Sequence, residues 1–314
     1  MPLSVFENMF KPSTRAFWKA ARSRQDASFW EAVHGLFYLK WPEFYISTGL
    51  RRGWVGRVIA TPAYWMGKVF GLWDTKLGSS FADSYHGKAL PLPEVMRLIG
   101  IGKSIRLELP EQVLPYKMAR SIILDNPNDL VLLRCPCRAT VENPCLPLEV
   151  CIIVGKPVTD FVLEHHPDKT RRVTVNEAID VVRQAQMRGN VSHAFFKEAV
   201  LGRYYAICNC CSCCCGAMQA HRQGTPMLAS SGYSAQVVDK KCLSCGKCAR
   251  ICPFSAITMK NAPAKDGKPL PSIDSEACLG CGVCSLHCPS QAIHLARDEA
   301  KPAPLPLHDF AKSI

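Results

Sequence analysis

The middle of the chain carries hydrophobic patterns that predict strands and helices packed around one core. Apolar runs at 129–134 and 204–207 predict two buried strands, each of which leads directly into a cysteine. Between them, Thr174 and Glu177 form a capping-box pattern that predicts the start of a helix, and Gly189 is expected to end it. The apolar side chains expected on the buried face of this helix are Ala178, Ile179, Val182 and Ala185. These patterns predict a chain of the α+β class.

The first quarter of the chain is aromatic and basic. Residues 1–78 hold eleven Lys or Arg residues against five Asp or Glu residues, together with all six tryptophans. The tryptophans are Trp18, Trp30, Trp41, Trp54, Trp65 and Trp73. Helices that place Trp beside Lys and Arg are typical of a membrane interface, but they also suit a helical cap on the rest of the chain or a surface for a partner protein. No transmembrane helix is expected, because the best candidate, 53–73, is interrupted by Arg57, Pro62 and Lys68.

A cysteine pattern near the C-terminus occurs twice. The spacing C-x2-C-x2-C-x3-C-P begins at Cys242 and again, 36 residues later, at Cys278. In such runs the first three cysteines bind one [4Fe–4S] cluster and the fourth binds the other. The first predicted cluster therefore has the ligands Cys242, Cys245, Cys248 and Cys288, and the second has Cys278, Cys281, Cys284 and Cys252. Structural zinc is the alternative for paired C-x2-C motifs, but the two C-x3-C-P endings favour iron.

This segment, over about 236–297, resembles the bacterial 2[4Fe–4S] ferredoxins. The two halves also match beyond the prolines, as Pro-Phe-Ser-Ala-Ile and Pro-Ser-Gln-Ala-Ile, and we expect Ile257 and Ile293 to pack over the clusters and exclude water. The resemblance implies one-electron transfer.

Ten further cysteines precede the ferredoxin-like segment in two groups. They are Cys135, Cys137, Cys145 and Cys151, followed by Cys208, Cys210, Cys211, Cys213, Cys214 and Cys215. Each group follows a predicted strand, and a helix between the strands would bring them together as a β-α-β unit. Ten thiols exceed the four ligands of one cluster, so we expect one or two additional [4Fe–4S] clusters. Zinc in part of the site, a redox-active thiol pair, and a purely hydrophobic role for Cys151 stay open.

Residues 105–297 resemble a poorly characterised family of iron–sulfur proteins of anaerobes. That family carries a Pro-Cys-x-Cys-Arg motif, then Ile-Cys-Asn-Cys-Cys, then a two-cluster ferredoxin segment. Here Ile207-Cys-Asn-Cys-Cys211 matches closely, whereas Arg134-Cys-Pro-Cys-Arg138 lacks the first proline. The resemblance implies electron transfer without a defined substrate.

Arg138 would offset thiolate charge, and His165, His166 and His193 are weaker candidates for cluster ligands.

We therefore divide the chain into five parts. They are a basic aromatic helical region (1–78), a connector (79–103), a cysteine-rich domain (104–235), a ferredoxin-like domain (236–297) and a loose tail (298–314).

Composition narrows the function further. The formal charge of +12 would fall once clusters with their thiolates, each of about −2, are bound. No signal-peptide, nucleic-acid, flavin or nucleotide pattern stands out, so we expect a cytoplasmic protein of low-oxygen conditions, and a peripheral position at the inner face of the membrane stays open. The leading interpretation is an electron-transfer subunit that serves redox partner proteins. The alternatives are an iron–sulfur oxidoreductase with an active site among the 135–215 cysteines, and a redox or metal sensor.

Overall fold

The computed structural model describes residues 10–24, 27–50, 52, 58, 81–126, 128–261 and 268–307. Trp54, Trp65, Trp73 and most of the 53–73 segment lie outside these residues. Within them, no helix is both long and apolar enough to cross a membrane.

A nine-stranded mixed sheet forms the centre of the fold. Seven strands follow one another in the order β6-β4-β5-β8-β7-β1-β9, and β3 joins β2 to β8 at one side. The strands are β1 (Tyr85–Leu90), β2 (Ile105–Glu108), β3 (Ser121–Leu124), β4 (Leu130–Arg134), β5 (Glu149–Val154), β6 (Thr170–Val173), β7 (Val191–Lys197), β8 (Arg203–Cys210) and β9 (Leu228–Ala229). The six strands from β6 to β1 pair antiparallel, so β4, β8 and β1 end at the edge where β5 and β7 begin. We call this side of the sheet the cysteine edge.

Helices cover both faces of the sheet. One layer contains α1 (Pro12–Arg22), α2 (Phe29–Lys40), α3 (Pro42–Gly49) and α6 (Val158–His165), and the other contains α4 (Leu92–Ile99) and α7 (Val175–Met187). Two short helices, α5 (Pro136–Ala139) and α8 (Gly216–Arg222), follow the cysteines that end β4 and β8. Phe17 of α1 is fully buried and packs on Phe161 of α6, with ring centroids 5.9 Å apart. The aromatic N-terminal helices are thus part of the core of this domain.

The ferredoxin-like part consists of two small hairpin sheets and two short helices. The paired strands are β10 (Tyr233–Val237) with β13 (Ile293–Arg297), and β11 (Ile257–Asn261) with β12 (Pro269–Ile273). The helices are α9 (Lys247–Ile251) and α10 (Val283–Leu286). Each helix contains the third cysteine of one cysteine run.

The α+β class and the main predicted elements are confirmed. Helix α7 begins at a complete capping box, in which the Glu177 N–H donates to the Thr174 hydroxyl (3.2 Å) and the Thr174 N–H donates to the Glu177 carboxylate (2.8 Å). All four apolar side chains predicted for its inner face are buried. Gly189 follows the helix with a φ of +82°, a left-handed conformation that ends it.

Three expectations differ from the structure. Strands β4 and β8 point the same way, but β5 lies between them and is antiparallel to both, so they do not form a β-α-β unit. The predicted connector contains β1, which pairs with β7 inside the main sheet. Leu305 and Leu307, placed in the loose tail, are buried in the core. These strand pairings and core contacts join residues far apart in sequence, and local sequence patterns do not predict such contacts.

Candidate metal centres

The ferredoxin-like part encloses two voids of about 20 Å³ each, and four cysteines line each void. The first is lined by Cys242, Cys245, Cys248 and Cys288, and the second by Cys252, Cys278, Cys281 and Cys284. The fourth cysteine of each run therefore lies with the first three of the other run. Ile293 lines the first void and Ile257 the second, and both side chains are buried.

Backbone N–H groups point at these sulfurs in a repeated way. The N–H of Ala256 donates to the Cys252 sulfur (3.3 Å), and the N–H of Ala292 donates to the Cys288 sulfur (3.2 Å). Each donor follows its cysteine by four residues, so the two halves of the segment use the same geometry. Hydrogen bonds to sulfur stabilise negative charge on a thiolate or a cluster and help to set its potential.

Seven of the other ten cysteines line a separate cavity at the cysteine edge. Six of them we call the cysteine ring: Cys135, Cys137, Cys151, Cys208, Cys210 and Cys215. The seventh, Cys211, also belongs to a tighter group described below. The cavity has a volume of about 70 Å³, larger than either ferredoxin void. Strand geometry brings the ring together, because Cys151 of β5 and Cys208 of β8 are direct partners in the ladder. The predicted convergence of the two cysteine groups is therefore observed, through β5 rather than through a crossover helix.

The N-terminal helices close the cavity from one side. Tyr38 and Leu39 of α2 line it, and the Tyr38 hydroxyl is hydrogen bonded to the hydroxyl of Tyr205 (2.7 Å). This arrangement corresponds to the helical-cap interpretation of the first quarter. The outer side of the same helices is different, since Trp30 is 74% exposed and Trp41 is 48% exposed.

Without a bound metal, the thiols of Cys135 and Cys151 hold their protons tightly. The hydrogen bond with the Cys137 thiol, reinforced by burial, raises the pKa of Cys135 to about 12, although the Cys151 thiol acts in the opposite direction. Hydrogen bonds with Cys135 and Cys208, followed by burial, raise the pKa of Cys151 well above its usual value. A metal or cluster must displace these protons, because it binds thiolates.

The remaining four cysteines form a much tighter group, which we call the compact site. Its members are Cys145, Cys211, Cys213 and Cys214, and their sulfurs all lie within 4.8 Å of one another. Cys145 comes from the loop between α5 and β5, and the other three come from the turn between β8 and α8. The structure thus regroups the ten cysteines: six line the cavity only, three belong to the compact site only, and Cys211 belongs to the compact site and also lines the cavity.

Arg138 lies between the two groups. Its side chain is buried, with 1% exposure, and donates to the backbone carbonyls of Cys145 (3.4 Å) and Asn209 (3.2 Å). Burial alone would lower its pKa, but the nearby thiols, led by Cys211 and Cys135, raise it. A permanent positive charge is therefore fixed beside both sets of thiols, as the sequence suggested for Arg138.

The three candidate histidines lie outside the compact site, and of these His166 alone borders the cavity of the ring. His165 is hydrogen bonded to the Thr14 hydroxyl (2.8 Å), and His166 donates to the Leu39 carbonyl (2.8 Å), although its side chain also borders the cavity. His193 is fully buried on β7 opposite Cys208, and burial lowers its pKa to about 3, so its ring is neutral.

Two important side chains were missed by the sequence patterns. Arg52 donates to the carbonyls of Cys137 and Cys214, both at 2.8 Å, and so joins the two cysteine loops. Lys197 is buried, with its ammonium group 4.3 Å from the ring centre of Tyr85 and 4.6 Å from that of Tyr38. Burial lowers the pKa of Lys197 to about 7. The sequence signal that could have identified Lys197 is its position at the end of the apolar strand β7.

The ferredoxin-like part is docked on the cysteine edge. His287, next to Cys288, donates to the carbonyl of Met187 at the end of α7 (3.0 Å). Gly189, two residues after Met187, packs closely against Ile251 of the ferredoxin-like part. A Cβ added at Gly189 would lie 3.2 Å from the Ile251 side chain. The next strand, β7, pairs with the end of β8 that carries the ring, through Val191 opposite Cys210.

Residues 241–292 match the family model of the 4Fe-4S dicluster domain. This part of the chain is a ferredoxin-type iron–sulfur domain. The match does not extend to the cysteine ring or the compact site. A search of curated proteins finds no match to the chain.

Proposed function

We propose that this chain relays single electrons through three [4Fe–4S] clusters, two in the ferredoxin-type domain and one in the cavity of the cysteine ring. Such clusters supply one-electron chemistry over a wide range of potentials. The observation that carries the proposal is the docking of the ferredoxin-type domain on the edge of the sheet at which the ring lies.

The two ferredoxin clusters would use the cysteines that line the two voids. Cys288 would complete the set of Cys242, Cys245 and Cys248, and Cys252 would complete the set that begins at Cys278. The grouping of these thiols around separate voids supports the exchange of the fourth ligand between runs.

The ring suits a cluster with complete thiolate coordination. The six ring thiols line the cavity together with Cys211, and a cubane cluster needs four ligands. No iron would need an open coordination position, which favours a relay over an enzyme that binds substrate at iron. The Tyr38 side of the cavity is closed by the N-terminal helices, which would keep water and oxygen from this cluster.

Few structural elements separate the ring from the ferredoxin-type domain. The docked turn leads into β7, the neighbour of β8, and the first residue of β7 lies opposite Cys210. Neighbouring strands in a sheet are about 4.8 Å apart. The turn itself is tied to the ferredoxin-type domain by the His287 hydrogen bond to Met187. Electrons could therefore pass between the ring and the ferredoxin-type domain without a domain movement.

A relay needs a donor and an acceptor, and we propose redox partner proteins for both. The exposed aromatic face of the N-terminal helices is the candidate contact, with Trp30 and Trp41 outermost and the Lys40 ammonium 4.9 Å from the Trp41 ring centre. The same chemistry would suit an anionic membrane surface, with the protein peripheral to the cytoplasmic side.

Metal analysis of anaerobically purified full-length protein tests this proposal. We expect about twelve iron atoms and about twelve sulfides per chain, four for each cubane. Replacing Cys135, Cys137, Cys151 and Cys208 by alanine leaves three of the seven thiols that line the cavity, so iron should fall to about eight. Cys213→Ala, in the compact site, is the control and should leave iron unchanged. About eight iron atoms in the wild type, or no loss in the fourfold variant, would remove the third cluster from the proposal.

A further inference from the structure

The compact site differs from every other cysteine group in its spacing. Among the described residues, it is the one group of three or more potential metal-binding side chains whose ligand atoms all lie within 4.8 Å of one another. The sulfurs of Cys145 and Cys213 are 2.9 Å apart, and those of Cys213 and Cys214 are 3.5 Å apart. The ferredoxin cysteines and the ring cysteines instead surround voids.

This spacing distinguishes one metal ion from a cluster. Four sulfurs bound tetrahedrally to one zinc ion at about 2.3 Å lie about 3.8 Å from one another. In a cubane cluster each cysteine binds a different iron, so the sulfurs are separated further by the iron–iron edges. The four sulfurs of the compact site have the shorter spacing, whereas the described ferredoxin cysteines include no three that meet the same limit.

We propose that Cys145, Cys211, Cys213 and Cys214 bind one structural zinc ion. Cys211 and Cys214 supply a C-x2-C pair, a spacing found in zinc sites, and four protein ligands leave no open position for catalysis. The zinc site goes beyond the relay and does not depend on it.

Hydrogen bonds hold the backbone of the compact site in place. The side-chain amide of Gln219 donates to the carbonyl of Cys213 (2.7 Å), and the Arg222 guanidinium donates to the carbonyl of Ser212. Arg52 binds the carbonyl of Cys214 from the other side (2.8 Å). The ligands of a metal are usually fixed by such surrounding contacts, which reduce the ordering needed on binding.

The position of the site indicates what the zinc would do. It would join the loop between α5 and β5, through Cys145, to the turn between β8 and α8. Cys137 and Cys215 of the ring lie close to the same two segments in sequence. Zinc would therefore fix the two loops that border the cavity of the ring.

The main experiment measures zinc, iron and sulfide in full-length protein purified anaerobically. We expect about one zinc per chain, with four sulfur neighbours at about 2.3 Å and no iron neighbour in X-ray absorption at the zinc edge. Cys145→Ser should lose the zinc and keep the iron and sulfide. The fourfold ring variant of Cys135, Cys137, Cys151 and Cys208, by contrast, should keep the zinc and lose iron, which separates this claim from the relay.

Cobalt provides a second measurement that needs no variant. Wild-type protein loaded with Co²⁺ in place of zinc should show the visible absorption of tetrahedral thiolate coordination. The proposal is overturned by protein without zinc, by zinc with other than four sulfur neighbours, by loss of iron and sulfide in Cys145→Ser, by a single iron ion in place of zinc, or by a Cys145–Cys213 disulfide detected by mass.

Discussion

The contact between Gly189 and Ile251 gives a direct test of how the two parts of the chain are joined. Gly189 has a φ of +82°, and an added Cβ would lie 3.2 and 3.5 Å from two side-chain carbons of Ile251. Gly224 is a matched control, because its φ is +95° and an added Cβ would meet no atom within 4 Å. The two alanine variants share the backbone penalty but differ in the contact.

The expected losses of stability follow from the backbone penalty and from the contact with Ile251. A side chain in the left-handed conformation costs roughly 1–2 kcal/mol, so Gly224→Ala should lower the free energy of unfolding by about that amount. Gly189→Ala should lower it by about 1 kcal/mol more, since overpacking typically costs about 1–3 kcal/mol and Ile251 can shift by a few tenths of an ångström.

Anaerobic urea unfolding and hydrogen exchange would measure both effects. Exchange should rise in Gly189→Ala at the turn before β7 and in α9, and it should stay unchanged there in Gly224→Ala. Ile251→Ala should relieve part of the Gly189→Ala effect in a double-mutant cycle. If the two glycine variants have the same stability and the same exchange pattern, the contact does not hold the domains together and the proposed electron path loses its support.

Three further predictions concern other parts of the molecule. Cys288→Ala should remove the cluster bound by Cys242, and Cys252→Ala should remove the cluster bound by Cys278. EPR of the reduced proteins can distinguish the two losses, and loss of the opposite cluster in either variant contradicts the exchange of ligands. Because burial lowers the pKa of Lys197 to about 7, this side chain binds fewer protons in the folded chain than in the unfolded chain between about pH 7 and 10, so it contributes stability that rises with pH there. Lys197→Met should be more stable at pH 7 and should lose this contribution to the pH slope, and an unchanged slope refutes it. Replacing exposed Trp30 by serine should reduce flotation with anionic vesicles without lowering stability, whereas unchanged flotation removes the membrane contact.

Features that depend on neighbouring residues could be predicted from the sequence. The repeated cysteine run indicates an iron–sulfur domain because the four cysteines of each run lie within eleven residues, and the family match covers this segment. The capping box at Thr174 and the apolar face of α7 were predictable for the same reason, since a helix is built from contacts three and four residues apart.

The grouping of the ten other cysteines follows from strand pairing and turn geometry, and it could not be predicted from local patterns. Cys208 and Cys210 are in a strand and Cys151 is in its partner, so alternation along β5 and β8 selects which thiols face the cavity. Cys211 and Cys214 lie beyond the end of β8, where the turn brings them to Cys145 from a distant loop. Adjacent cysteines thus belong to different sites because strand and turn direct them differently, and because pairing with β5 depends on residues more than fifty positions away in the chain.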